Sequence, residues 1–187
     1  MQSPSIQNSK NRKGFTLIEL LIVISIIAVL AAVAFPVMGA VTNQARRAEA
    51  LNTCVSIVNA VAAYKNEYNI MPIDGGGGGG ESKGFESDSS FIRILLGEDT
   101  QMNRREKRFL TVKNAKQDRG GLDQQGNLWD PWGEKYEIEV DADYNGIVDG
   151  PSGTEGEIRA DAIAWSYGKP LRNGQRARPD KWIKSWE

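Results

Sequence analysis

Hydrophobic and polar positions divide this 187-residue chain into three unequal stretches. Residues 1–13 are polar and carry Lys10, Arg12 and Lys13 with no acid. From Phe15 to Val41 the chain is almost wholly apolar, and Glu19 is its single charge. From Thr42 onward apolar residues recur in shorter, periodic patterns. Leu20–Val41 contains no charged residue. As a helix rising ~1.5 Å per residue it spans about 33 Å, enough to cross a hydrocarbon core about 30 Å thick. The three leader cations would then stay on the cytoplasmic side and leave the polar remainder outside.

The helical pattern does not stop at the end of the apolar run. Ala48, Leu51, Val55, Val58 and Ala62 recur at three- and four-residue spacing, and Arg46, Arg47, Glu49, Asn52 and Asn59 lie largely off that stripe. This predicts an amphipathic helix that buries the stripe against a globular domain. Pro36 removes one helix hydrogen bond and predicts a kink or soft turn near 33–36. Cys54 reads as a small apolar core residue. The stretch from Ala63 to Pro72 ends the helix, and six glycines follow at 75–80. No strand precedes those glycines and no Gly-Lys-Ser/Thr ends them, so they read as a flexible loop and not a phosphate cradle. Asp88-Ser89-Ser90 predicts the cap of a short helix over Phe91–Leu96, stopped by Gly97. Its Phe91, Ile92, Leu95 and Leu96 would cover the long helix. Trp129-Asp130-Pro131-Trp132-Gly133 suits a type I turn, with Asp at i, Pro at i+1 and Gly at i+3. Tyr136–Val140 alternates apolar and acidic residues and reads as a half-buried strand. Ile163, Trp165 and Tyr167 alternate with Ala162, Ala164 and Ser166, which predicts another.

Composition narrows the chemistry. The chain has no His, so Ser–His and Cys–His nucleophiles and His-ligated metals are excluded. One Cys cannot form an internal disulfide. Carboxylates are abundant but no pair is singled out for acid–base work, and the reading is not an enzyme. The formal net charge of −1 hides three blocks. Residues 101–119 carry seven cations against two acids, 130–161 ten acids against two cations, and 169–187 six cations against two acids. The first block reads as a solvated or intersubunit face. Phe109 is its single aromatic residue, poor support for nucleic-acid binding. In the tail, Trp182, Ile183 and Trp186 read as anchors to the domain, the alternative being an exposed contact patch. Blocks of opposite sign could pair between subunits as well as within one.

Inside the acidic block, Asp141, Asp143, Asn145, Ile147 and Asp149 match the first nine positions of a calcium loop, with Gly146 at the sixth. The twelfth position is Ser152 where such a loop has Glu, and Glu155 or Glu157 would have to substitute. The competing reading is an Asx-rich turn with no ion.

Two processing schemes compete at the N-terminus. Leu20–Leu30 followed by Ala32-Val33-Ala34 resembles a secretory signal cut after Ala34. Against it, Glu19 lies inside the apolar run, where a charge is costly without a partner, and the helical pattern continues past residue 60. Lys13-Gly14-Phe15-Thr16-Leu17-Ile18-Glu19-Leu20 resembles the processing motif of type IV pilins and type II secretion pseudopilins. The resemblance implies cleavage after Gly14, N-methylation of Phe15, and Glu19 as the fifth mature residue, with Pro36 at a place where the family usually has a Pro. Ala63–Pro72 and Asp130-Pro131-Trp132-Gly133 followed by Tyr136 resemble the major, G-type pseudopilin. That family carries calcium in its C-terminal loop region, which supports a calcium site here without mapping its ligands.

The resulting expectation is an α+β, pilin-like fold. A long N-terminal transmembrane and amphipathic helix would pack on a small antiparallel β-sheet. Its parts are a cleaved leader over 1–14, a transmembrane half over 15–41, an amphipathic half over 42–72 and a periplasmic globular region over 73–187. The implied function is a pseudopilus subunit anchored in the inner membrane, assembling with itself through Phe15 and Glu19. The implied partners are prepilin peptidase, minor pseudopilins and an inner-membrane assembly platform. A type IV pilus subunit, a DNA-uptake pseudopilin and a secreted calcium-binding protein are the alternatives.

Overall fold

The computed structural model describes residues 14–73, 83–152, 154 and 156–187, with the side chains of 33–37 and 83 left out. The leader over 1–13, the glycines at 75–80, Glu155 and the expected kink at Pro36 therefore lie outside the described residues. The chain divides into two units, one ending at Asn43 and one beginning at Gln44. The elements in chain order are α1 (Leu17–Tyr68), β1 (Lys83–Glu86), α2 (Ser89–Leu96), β2 (Gly121–Leu122), β3 (Leu128–Trp129), β4 (Glu137–Val140), β5 (Val148–Asp149), β6 (Glu157–Ile158), β7 (Ala162–Ser166), a 3₁₀ turn (Pro179–Lys181) and β8 (Ile183–Lys184).

The first unit is α1 up to Asn43, and its large apolar side chains from Leu17 to Leu30 are exposed, Leu17 at 85%. Among the described residues no helix is long and apolar enough to cross a membrane.

The second unit closes its own core. Strands β1, β4, β7 and β8 form one antiparallel sheet in that order. The two faces of β7 bury different things. Ala162 and Ala164 join Ile138 and Val140 of β4 in the main cluster with Cys54, Ile57, Val61 and Tyr64 of α1. Small residues on the sheet side let the helix approach closely, and Cys54 Sγ lies 3.8 Å from the carbonyl oxygen of Ile183. Ile163, Trp165 and Tyr167 form a second cluster with Val148, against which Trp182 and Trp186 pack. Trp182 lies 5.0 Å from the Tyr167 ring and Trp186 lies 6.1 Å from Trp165, so the tail is anchored as its sequence predicts.

The expected burial stripe on α1 is wrong by about one residue. Ala50, Cys54, Ile57, Val61 and Tyr64 are buried, whereas Leu51 and Val55 are 39% and 40% exposed. A shift of one residue turns a helix by about 100°. Both stripes are apolar and equally periodic, so spacing alone does not choose between them. The stripe that wins carries the larger Ile57 and Tyr64. The helix also ends at Tyr68, short of Pro72. Asn69 takes the left-handed φ of +55° and its N–H reaches Lys65 O at 2.7 Å, an Asn in the role usually filled by glycine.

Local signals for the other elements hold. Asp88 Oδ1 accepts from the N–H groups of Ser90 and Phe91, and Gly97 closes α2 at φ +82°. A Cβ on Gly97 would meet the Glu106 carbonyl oxygen at 2.7 Å, so this turn needs glycine. Phe91, Ile92, Leu95 and Leu96 enter the main cluster. The Asp130 turn is built as expected: Gly133 N–H donates to Asp130 O at 3.1 Å. The fully buried Asp130 adds more, with Oδ1 accepting from the N–H groups of Trp132, Gly133 and Glu134 at 2.8–2.9 Å and Oδ2 from Ser166 Oγ at 2.6 Å. Burial pushes its carboxyl above the ordinary range, and those donors oppose the shift.

Candidate functional site

The candidate site in the first unit is the start of α1. Gly14, Phe15 and Thr16 precede the helix and are exposed. Thr16 is its N-cap. Glu19 Oε2 accepts from Thr16 N–H at 2.8 Å and from Thr16 Oγ1 at 2.8 Å, while Glu19 N–H donates to Thr16 Oγ1 at 3.3 Å. This is a reciprocal capping box, each side chain serving the other's backbone. The Thr-x-x-Glu spacing that signals it stands in the sequence, and attention to the charge alone overlooks it. In the chain before any cleavage, the carboxylate thus already has two donors and sits where the helix dipole favours it.

The acidic loop lies in the second unit. Asp141 is fully buried. Its Oδ1 and Oδ2 accept from the N–H groups of Asn145 at 3.1 Å and Gly146 at 2.9 Å. Asp143 accepts from Asn145 N–H and Nδ2 at 3.2 and 2.9 Å, and Asn145 Oδ1 from Ile147 N–H at 2.7 Å. Gly146 makes the bend at φ +78°. Asp149 lies on β5, opposite Glu157 of β6. Among the described residues no three carboxylates, His or Cys gather as a metal cage. The expected ligands are near one another in sequence, but the oxygens of Asp141, Asp143 and Asn145 point at the loop's own backbone.

Two contacts hold this loop and the nearby Asp161 close to the end of α1. Tyr144 Oη accepts from Met71 N–H at 2.9 Å, and Lys65 Nζ meets Asp161 Oδ1 at 2.6 Å. Tyr144 holds a left-handed φ of +62° to make its contact. Nothing in the sequence pattern predicts either.

The basic block is partly neutralised within the subunit. Glu67 receives Arg105 and, at 2.6 Å, Lys107, while Glu49 receives Lys113 at 2.7 Å. Lys107 and then Arg105 hold the Glu67 carboxyl below its ordinary range against a smaller opposing effect of burial. From the tail, Arg176 lies 3.9 Å over the Tyr167 ring and reaches Glu134 at 3.1 Å.

Residues 9–35 match the family described as the prokaryotic N-terminal methylation motif. The chain is 40% identical over 68 residues to the fimbrial protein EcpC of Eikenella corrodens, covering 36% of this chain and 44% of that protein. It is 43% identical over 79 residues to the type IV major pilin protein PilE of Neisseria gonorrhoeae, covering 42% and 44% of the two chains. The chain carries the N-methylation motif of type IV pilin-like proteins and is homologous to type IV pilins. It spans less than half the length of these relatives. No solved structure matches it significantly. The long helix on a small antiparallel sheet is the pilin-like α+β arrangement.

Proposed function

We propose that this chain is the structural subunit of a periplasmic pseudopilus that polymerises through its N-terminal helix and drives protein secretion across the outer membrane. The chain enters the inner membrane as a single pass, prepilin peptidase cuts it after Gly14, and Phe15 is N-methylated. The globular unit faces the periplasm. Minor pseudopilins and an assembly platform in the inner membrane are its partners. A separate cytoplasmic motor supplies the energy, and the subunit's own work is mechanical.

The observation that carries this reading is a carboxylate held at the first turn of a helix whose apolar side chains face outward. A charge placed in lipid costs a few kcal/mol. Before cleavage Thr16 lowers that cost by capping. Cleavage turns Phe15 into a cationic amine, which the helix dipole disfavours at this end. Glu19, one turn on, answers that amine or the amine of a neighbouring subunit, and so sets the register of assembly. Glu19→Ala is expected to be inserted and cleaved normally but to yield no filaments, read by sheared-filament yield and by the mass of the membrane-bound chain. Normal filaments would remove the pairing from the account.

A type IV pilus subunit is the second reading, favoured by the names of the relatives. The Asp130–Gly133 turn favours secretion, as does Cys54, which is buried and leaves no disulfide to close a C-terminal loop. Deleting the gene separates them: secreted proteins retained in the periplasm with surface pili intact support secretion, and the reverse supports the pilus.

Calcium at the 141–149 loop is a separate proposal. Gly146 at the bend, the sixth position of such a loop, supports it. The oxygens now turned toward backbone N–H groups favour the bare turn. A melting temperature that rises with millimolar calcium supports binding to the folded state, and an unchanged one supports the self-capped turn.

A further inference from the structure

The charge blocks do not neutralise completely inside the chain, and two of the groups left over lie at different ends of the helix segment. Lys113, on Glu49, ties one end of the basic block to the middle of α1, and Arg105 and Lys107, on Glu67, tie the other near the helix end. Those two acids are separated along the helix by about 27 Å at ~1.5 Å per residue. Lys116 and Arg119 belong to the end near Glu49: a Cβ on Gly120 would meet Glu49 Oε1 at 2.7 Å, and Lys116 N–H donates to Arg119 O at 3.0 Å. Both side chains are exposed, and among the described residues neither has an ion-pair partner. The acidic loop lies toward the opposite end of the helix segment: Tyr144 Oη accepts from Met71 N–H just past α1, and Asp161, whose carbonyl accepts from Asp141 N–H at 2.9 Å, meets Lys65. There Asp143 and Glu157 are exposed and, among the described residues, have no cation against them. Glu157 also stands directly opposite another acid, Asp149, in the β5–β6 pair, an arrangement that like charges disfavour.

We infer that Lys116 and Arg119 of one subunit dock against Asp143 and Glu157 of the next copy of this chain. The two patches differ from one another and lie at different levels of the same helix. Used head to tail, such a contact is heterologous, and a heterologous contact that does not close a ring builds an open filament. A symmetric dimer would instead have to form both contacts reciprocally across one two-fold axis, and it would stop at two copies. The pairs sit at an exposed rim, so they set register and encounter rate more than raw affinity. This inference rests on the filament reading and adds the lateral contact that the N-terminal helix alone does not specify.

The test uses the full chain expressed in its host. K116E/R119E is expected to lower sheared-filament yield at least about tenfold, because repulsion replaces attraction at the contact. Adding D143K/E157K to the same chain is expected to restore yield. Glu157→Lys alone checks the acidic side without disturbing the Asx turn at Asp143. Arg119→Cys with Glu157→Cys is expected to give an oxidised ladder of dimers and longer species that neither single variant gives, Cys54 being fully buried. If Glu19→Ala abolishes filaments while K116E/R119E assembles within about twofold of the parent, well short of the penalty for opposed like charges, this contact is refuted and the filament reading stands. If Glu19→Ala assembles normally, both fall. Unchanged filaments together with salt-dependent DNA binding that K116E/R119E removes would assign the cations to nucleic acid and overturn the inference.

Discussion

The two units of this chain solve the same problem in opposite ways. From Gln44 onward, apolar side chains find partners in the same subunit: Ile57, Tyr64, Leu95 and Ile138 are sealed in one cluster, and Trp165 and Tyr167 in another. Up to Asn43, the apolar side chains from Leu17 to Leu30 are exposed among the described residues. A soluble protein rarely leaves such a continuous apolar surface bare, so the first unit is built for surroundings outside this chain. Its one carboxylate is kept ready by Thr16. The second unit closes a core of its own. In the proposed filament, lipid or neighbouring helices would cover the first.

That contrast gives separable predictions, the largest first. Ile57→Ala removes a fully buried side chain from the main cluster. It is expected to cost about 3 kcal/mol of unfolding free energy, seen in urea melts of the detergent-solubilised chain, with processing after Gly14 unaffected. Glu67→Gln removes a carboxylate whose proton affinity is lowered by Lys107 and Arg105. A carboxyl with a depressed folded pKa stabilises most above its unfolded pKa, and that contribution fades as pH falls through the folded value. The variant should therefore lose stability at neutral pH and show a flatter acid limb. An acid limb as steep as the parent's would mean that the pair contributes nothing. Val55→Ala, on the exposed stripe, is expected to change the melt by less than about 0.5 kcal/mol. A loss comparable to that of Ile57→Ala would place the wrong helix face in the core.

How much of this was legible in the sequence depended on how far each signal reaches along the chain. Local chemistry read correctly: Asp88 and Gly97 bound α2, and the Asp130 turn forms on its own backbone. The two main strands followed from alternation over a few residues. The burial face of α1 did not, because Leu51, Val55 and Val58 mimic the periodicity of Ala50, Cys54 and Ile57, and only the packed sheet distinguishes them. Side-chain ties across long separations were also invisible: Lys65 to Asp161, Met71 to Tyr144 and Glu67 to Arg105 obey no pattern in the linear chain. The sequence motif at the N-terminus points to a partner that cleavage would make for Glu19, and the structure adds Thr16.

The central claim is that Glu19 awaits a chain end made by proteolysis beside it. Intact-mass measurement of the protein isolated from its host membrane tests this directly. The account predicts a chain that begins at Phe15 and carries one methyl group on its amine. A chain that begins at Phe35, or one that still holds its first 14 residues, would contradict it.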